Sequence, residues 1–309
     1  MTGNLTNGKA GVGMNKAGWR RRLADNAPAP LRKAVRMAEH YGRRWVEWNQ
    51  VATQFYPADV RSAATILRSL VAAPITSLRR LDGFEPPLLL ADTTLHMRGI
   101  GRFAVRAGTD DIVNILPARE PQGLALLRGT LQPGDTFVDA GANIGLYSIV
   151  ASTLVGSAGQ VIAVEMMPGT AAQLRTNVAL NDATNVRVVR IALSDRDGAT
   201  VTASSNTRKL GQASITPARH GSTRDLSVAV YTQRLDTLLR GVKRVRLMKM
   251  DLEGAEALAL AGAYGVLDRI DAILFENNTC DPRIARLLEQ RGFAIRELDH
   301  PDYLAERVD

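Results

Sequence analysis

Between Val138 and Gly145 the chain reads VDAGANIG, a short apolar run that passes through a glycine-rich turn into the apolar start of a helix. Gly141 permits a backbone angle that other residues resist, and Gly145 lets the following helix approach the strand closely. Such a turn exposes backbone amides at a helix N-terminus, where the dipole favours negative charge. Asn143 narrows the choice of ligand. A dinucleotide fingerprint has glycine there so that a pyrophosphate can touch the backbone, and a side chain obstructs that approach. A smaller anionic group suits the turn better, such as the methionine carboxylate of S-adenosylmethionine (SAM). Asp139, at the carboxyl end of the strand, is then placed to accept hydrogen bonds from an ammonium or from loop amides. Without a ligand it would cap a tight turn.

Glu165 closes the apolar run VIAVE, 24 residues after Gly141. A doubly wound sheet presents an acidic residue to a ribose at about that offset, and one carboxylate can accept from both ribose hydroxyls. Met166 follows, a soft sulfur side chain suited to the face of an adenine. The plainer reading of Glu165 is a solvated strand end. Further along, KMDLEG carries Lys249 and Asp251 at one strand parity, so both point to the same face at the strand's carboxyl edge. Ligands of open α/β sheets bind outside that edge. Glu276 ends DAILFE, one strand further on, and overlooks the same crevice.

The elements that must position these residues follow from periodicity. From residue 135 onward, buried strands alternate with helices: TFVDA, a helix from 147 to 154, VIAVE, a helix near 169–180, and VRVVRIAL. The alternation resumes with VRLMKMD, a helix near 254–265, DAILFE, a helix near 282–291, and the terminal pair GFAIREL and YLAERV. This pattern specifies an α/β fold with a doubly wound, Rossmann-like sheet. Residues 196–234 interrupt it with short polar, β-rich segments and read as an inserted hairpin or flap. Upstream of Pro86 and Pro87 lie a basic leader expected to be flexible (1–28) and a helical extension (29–82), with helices after Pro28 and near 60–73; the main domain is 83–309. LLLADTTLHMR and GRFAVRAG alternate as a strand hairpin.

Composition excludes several classes. The chain has 309 residues, 45% hydrophobic and 23% charged, with 26 Gly, 13 Pro and one cysteine, which rules out a disordered, collagenous or disulfide-stapled protein. Residues 1–80 carry 14 Lys and Arg against 4 Asp and Glu, and the rest carry 25 against 27. The near-neutral main domain offers no electrostatic path for nucleic acid. No apolar run approaches the roughly 20 residues of a spanning helix, and the polar, Gly-rich N-terminus lacks a secretory core, so a cytoplasmic location is expected. Residues 29–73, with arginines at 43 and 44 beside Trp45 and Trp48, suit peripheral contact with an anionic membrane or, more simply, a cap helix packed on the main domain.

VDAGANIGLYS, VIAVEMMP, NVALN, NVRVVRIALSD and above all LMKMDLEGAE resemble the FkbM-type SAM-dependent methyltransferases, over about residues 90–300. The resemblance implies a class I methyltransferase fold, a seven-stranded sheet whose last strand is antiparallel, and transfer usually to oxygen. Asp139, Gly141, Asn143 and Gly145 fall on the family's loop motif and Glu165 on its ribose acid. Methyl transfer from a sulfonium is an in-line displacement, so the protein must align the reacting atoms and remove a proton from the attacking hydroxyl. Asp251 is the expected proton acceptor or ammonium ligand, Lys249 would hold it ionised, and Glu276 is the alternative base. The family often has a histidine shortly after this glutamate, whereas Asn277 and Asn278 follow here, and neutral amides position but scarcely deprotonate.

Other candidates read more plainly. Glu253 and Glu256 suit the dipole at a helix start. His96 and His220 read as surface histidines, with no partner at zinc-ligand spacing. Asp251, Glu253 and Glu276 could hold Mg²⁺, but Lys249 among them argues against it, and no required metal is expected. Asp110 and Asp111 face the acceptor or initiate a turn, with equal weight. The acceptor is expected to be a hydroxyl of a sugar, glycan or secondary metabolite. A non-catalytic SAM-binding scaffold docked through its N-terminal helices is the alternative, and an NAD-dependent dehydrogenase conflicts with Asn143.

Overall fold

The computed structural model describes residues 28–78, 87–216, 225–278 and 280–308. The leader up to residue 27, His220 and the middle of the inserted segment lie outside the described residues. Pro28 and Pro30 introduce α1 (Ala29–Gln54), since a proline's fixed φ suits a first helical turn and its missing N–H costs nothing there. Strand β1 (Phe55–Pro57) separates α1 from α2 (Val60–Leu78). This second helix runs past Pro74, five residues beyond the expected stop at 73, although proline removes one helical hydrogen bond. Strands β2 (Thr93–Met97) and β3 (Gly101–Val105) form the expected hairpin, and β1 joins its β2 edge to make a separate three-stranded sheet.

Two helices that the periodicity did not disclose, α3 (Asp111–Asn114) and α4 (Pro121–Thr130), lead into β4 (Thr136–Ala140). The expected alternation then appears: α5 (Leu146–Val155), β5 (Gln160–Val164), α6 (Pro168–Leu180) and β6 (Val186–Val189). VRVVRIAL is one apolar run but two strands. After β6 the chain leaves the main sheet, and β7 (Ala192–Leu193) pairs in parallel with a strand of a second sheet. That sheet also contains β8 (Thr200–Asn206), β9 (Lys209–Ser214) and β10 (Leu226–Gln233), in the order β7-β10-β8-β9.

A short helix α7 (Leu235–Leu238) returns the chain to β11 (Leu247–Met250). Helix α8 (Glu256–Ala261) is half the expected length, closing at Gly262, where an added Cβ would collide with the Ser194 carbonyl. Strand β12 (Ala272–Glu276), helix α9 (Pro282–Glu289) and the pair β13 (Phe293–Asp299) and β14 (Asp302–Arg307) complete the chain.

The main sheet has seven strands in the order β13-β14-β12-β11-β4-β5-β6, and β14, the last, runs antiparallel to both its neighbours. Side chains alternate across it with period two. Phe137, Leu247 and Leu274 enter the core under α4 and α5, whereas Val138, Met248 and Ile273 enter the opposite core with α8 and α9. Among the described residues no helix is long and apolar enough to cross a membrane.

Candidate active site

On β4 the side chains of Phe137 and Asp139 share a face, and on β11 so do Leu247 and Lys249. Parallel pairing puts Leu247 opposite Phe137 and Lys249 opposite Asp139. One step toward the carboxyl edge therefore turns an apolar layer into a buried polar one, with Lys249 beside Asp139. Asp139 accepts a 2.6 Å hydrogen bond from Ser148 Oγ through Oδ2, while its buried Oδ1 has no hydrogen-bond partner. Burial pushes the Asp139 carboxyl up, and the Lys249 ammonium and Ser148 hydroxyl work against that shift. Lys249 lies 5.0 Å from the centre of the Tyr147 ring and 3.0 Å from Asp251 Oδ2. Burial opposes its charge, but Asp251, Glu120 and Asp139 together hold its pKa above the usual lysine value. Burial and the neighbouring Glu120 raise the Tyr147 phenol, so it stays protonated.

The turn after β4 is held by its neighbours. Gly141 has φ +86°, and a Cβ there would strike the Asp251 carbonyl oxygen, so the loop lies directly on the chain leaving β11. Gly145 caps α5 at φ +100°, and a Cβ there would stand 2.5 Å from Leu174 Cδ1 on α6. Asn143 adopts φ +49°, with its buried Oδ1 unpartnered. Glu165 reaches back to this loop: Oε2 accepts from the Asn143 amide at 3.1 Å and Oε1 from the Met167 amide at 2.8 Å. Burial pushes the Glu165 carboxyl up to about 7, against those two amides. Glu165 is thus a buried acid that organises the turn, and not a solvated strand end.

These groups line one cavity of about 430 Å³, whose wall also includes Met166, Glu276 and Asn278. Asp251 and Glu276 face each other there. Burial disfavours charge on both; Lys249 keeps Asp251 ionised, and the Asp251 charge then pushes Glu276 up to about 9. The pair therefore favours the charge on Asp251 and the proton on Glu276. Asn278 contributes a hydrogen bond to Glu276, and Asn277 instead joins the turn before α9, accepting from the Asp281 amide at 2.8 Å.

The inserted sheet covers this cavity. Residues 209–213 of β9 form part of its wall, and Asp110 fastens them: Asp110 Oδ1 accepts from the Leu210 amide at 2.9 Å, and the Asp110 amide donates to the Arg208 carbonyl at 3.0 Å. Asp110 therefore lines the cavity, whereas Asp111 is wholly buried in a two-point bond to Arg106, at 2.7 Å for each nitrogen. Glu253 sits on the cavity wall at φ +53°. Glu256 Oε1 accepts from the Leu252 and Gly254 amides at 2.8 and 3.2 Å, so it secures the loop before α8.

The carboxylate oxygens of Asp251, Glu256 and Glu276 lie within 4.8 Å of one another, a set that contains Glu256 in place of Glu253. Lys249 already balances Asp251, and Glu256 is engaged with backbone. His96 lies apart from the cavity, exposed on β2 opposite Tyr56.

Sequence reasoning gave no role to Tyr147, Ser148 or Asn177, though each lies inside a quoted motif. Asn177 is fully buried, accepts from the Ala104 amide at 2.8 Å and donates to the Ile144 carbonyl at 2.8 Å. Asn181, one turn on, pairs with both backbone groups of Arg102 at 2.7 Å each. The two asparagines of NVALN lock the upstream hairpin to α6 and to the glycine turn. Their spacing of four on a helix was the available signal.

A seven-stranded sheet with its last strand antiparallel, and a glycine turn and two buried acids at its carboxyl edge, define a class I methyltransferase fold. The FkbM methyltransferase domain matches residues 139–297, from the first of these acids into β13, and the chain belongs to this family. Methyltransferase sdnD of Sordaria araneosa is 30% identical over 197 residues, covering 53% of this chain and 75% of the relative. Methyltransferase 1 of Beauveria bassiana is 26% identical over 193 residues, covering 55% and 77%. Among solved structures, a SAM-dependent O-methyltransferase of Thermotoga maritima is a distant likeness, with TM-score 0.40 and 14% identity over 73% of this chain and 80% of that one. The chain is a methyltransferase.

Proposed function

We propose that the protein is a SAM-dependent O-methyltransferase acting on a hydroxyl of a sugar, glycan or secondary metabolite. The observation that carries this reading is the single cavity in which the glycine turn, Asp139 and Glu165 share a wall with Lys249, Asp251 and Glu276. The residues fit the group. Asp139 Oδ1 is a buried acceptor without a donor, suited to an ammonium, and each Glu165 oxygen retains a lone pair beyond its amide bond. Gly141 and Gly145 keep the turn open, Asn143 blocks a pyrophosphate, and Met166 offers sulfur to an adenine.

SAM, when bound, supplies an electrophilic methyl group on a sulfonium. The chain's own residues then have two tasks. Asp251, ionised beside Lys249, accepts the proton of the acceptor hydroxyl as that oxygen forms its new bond. Glu276, holding the proton of the pair, donates to Asp251 and orients the acceptor, with Asn278 fixing its carboxyl. Lys249 stabilises the anionic state that this requires, and its Tyr147 contact holds it in place. None of these roles needs a metal.

Calorimetry with SAM and with NAD side by side tests the cofactor, since the Asn143 argument requires binding of the first alone. Transfer of labelled methyl into a lysate of the source organism, followed by product identification, tests the acceptor. An N- or C-methylated product would refute the oxygen assignment.

A further inference from the structure

Helix α2 carries its apolar residues on two faces, and only one is covered. Inward, Ile66, Leu70 and Ala73 pack on the main core. Beside them Thr65 and Ser69 are buried, with their hydroxyls satisfied locally: Thr65 Oγ1 donates to the Arg61 carbonyl at 3.1 Å and Ser69 Oγ to the Thr65 carbonyl at 2.7 Å. Outward, Val60, Leu67 and Val71 are 87%, 63% and 68% exposed. At about 100° per residue these three fall within about 40° of arc, a continuous stripe along three turns. The helix thus hides hydroxyls and displays aliphatic side chains. Singly exposed apolar residues need no explanation, whereas an aligned row marks a contact surface.

Arg61 and Arg68 stand exposed on one flank of the stripe, about 80° to 100° round the helix. Helix α1 repeats the arrangement. Trp48 and Val51 are buried in the core, whereas Trp45 is 69% exposed, with Val46 and Leu31 also turned outward. The simple cap reading therefore holds for Trp48 and not for Trp45. The charge excess noted above belongs to residues 1–80, where 14 basic residues face 4 acidic ones.

We infer that the outer faces of α1 and α2 dock the protein on an anionic lipid bilayer. Aliphatic side chains flanked by arginine, with an exposed tryptophan, match the apolar boundary and charged headgroups of such a surface. A second copy of this chain fits less well. A twofold contact through the stripe would bring like charges together, Arg61 and Arg68 of each copy among them, within an interface of low dielectric.

The test uses the full chain and vesicles of phosphatidylcholine with or without phosphatidylglycerol. The protein sediments with the anionic vesicles, at least about tenfold more strongly than with phosphatidylcholine alone, and is released by high salt. Leu67→Glu with Val71→Glu weakens that binding by at least about tenfold, as two carboxylates replace the inserting side chains. Arg61→Gln with Arg68→Gln weakens binding to anionic vesicles and leaves the phosphatidylcholine control unchanged. All four positions are exposed, so the variants keep the wild-type melting temperature, which is measured alongside. Failure of the wild type to sediment, or equal sedimentation of the Leu67/Val71 variant, overturns the inference. So does a wild-type dimer in analytical ultracentrifugation that this variant dissolves, because the stripe would then be covered by a second copy.

Discussion

On the proposed reading, Glu165 joins the acid–base state of the site to cofactor affinity. Burial pushes its carboxyl up to about 7, so roughly a tenth is ionised at pH 6 and roughly nine-tenths at pH 8. If the ionised form accepts from the ribose hydroxyls, the apparent affinity for SAM or its demethylated product rises roughly ninefold between those pH values. Other groups titrate nearby, including the α-amino group of the ligand, so the informative quantity is the difference between wild type and Glu165→Gln. Gln cannot ionise but keeps the shape. It should bind more weakly at pH 8 and lack the ninefold component, while every other titration remains. Calorimetry at pH 6, 7 and 8 measures both proteins.

Stability gives a second, ligand-free check. The folded pKa lies above the unfolded value of 4.5, so between those limits the folded state holds the extra proton, and stability falls as pH rises from 4.5 to about 7. Relative to Glu165→Gln, the wild type should lose roughly 3 kcal/mol across that window and nothing further above it. Parallel pH profiles for the two proteins, in binding and in urea unfolding, would falsify the role given to Glu165.

Asp251→Asn should lower turnover by about 10²- to 10⁴-fold with SAM affinity changed only a few-fold, measured by single-turnover methyl transfer; a parallel loss of binding would assign Asp251 to the ammonium instead. Asn177→Ala leaves the Ala104 amide and the Ile144 carbonyl without their partners, at about 1–3 kcal/mol each, so urea unfolding should show about 2–6 kcal/mol lost. A change under about 0.5 kcal/mol would show that water or a backbone shift satisfies both groups. Gly141→Ala forces a left-handed alanine against the Asp251 carbonyl, and SAM binding should vanish even where the protein still folds. Undiminished calorimetric binding by that variant would mean that the turn is not the cofactor cradle.

The main sheet was legible because each strand is a short apolar run bounded by turn residues, and the acids at the strand ends stand out against those runs. Parity placed Lys249 and Asp251 on one face, and their side chains meet. Parity within one strand cannot give the register between strands, so the apposition of Lys249 with Asp139 was invisible. VRVVRIAL shows a different limit: apolar continuity says that a segment is buried, not which of two sheets buries it. The helices between 111 and 130 were unread, since the four residues of α3 are too few to show a period and α4 contains Gly123 and Gly129. On α2 the outward stripe has the same spacing as a core face, and only the positions of neighbouring elements tell the two apart.

The sheet over the cavity is moored at both ends. β7 follows β6 with two residues between them, and β10 runs into α7, so neither strand has slack to swing. β9 is the edge strand of that sheet, paired to β8 alone, and its Leu210 amide hangs on the Asp110 carboxylate. The rim of this ribbon is pinned to the main domain at two points, near its start by Asp110 and at its end by the Ser214 hydroxyl on the Glu253 carbonyl.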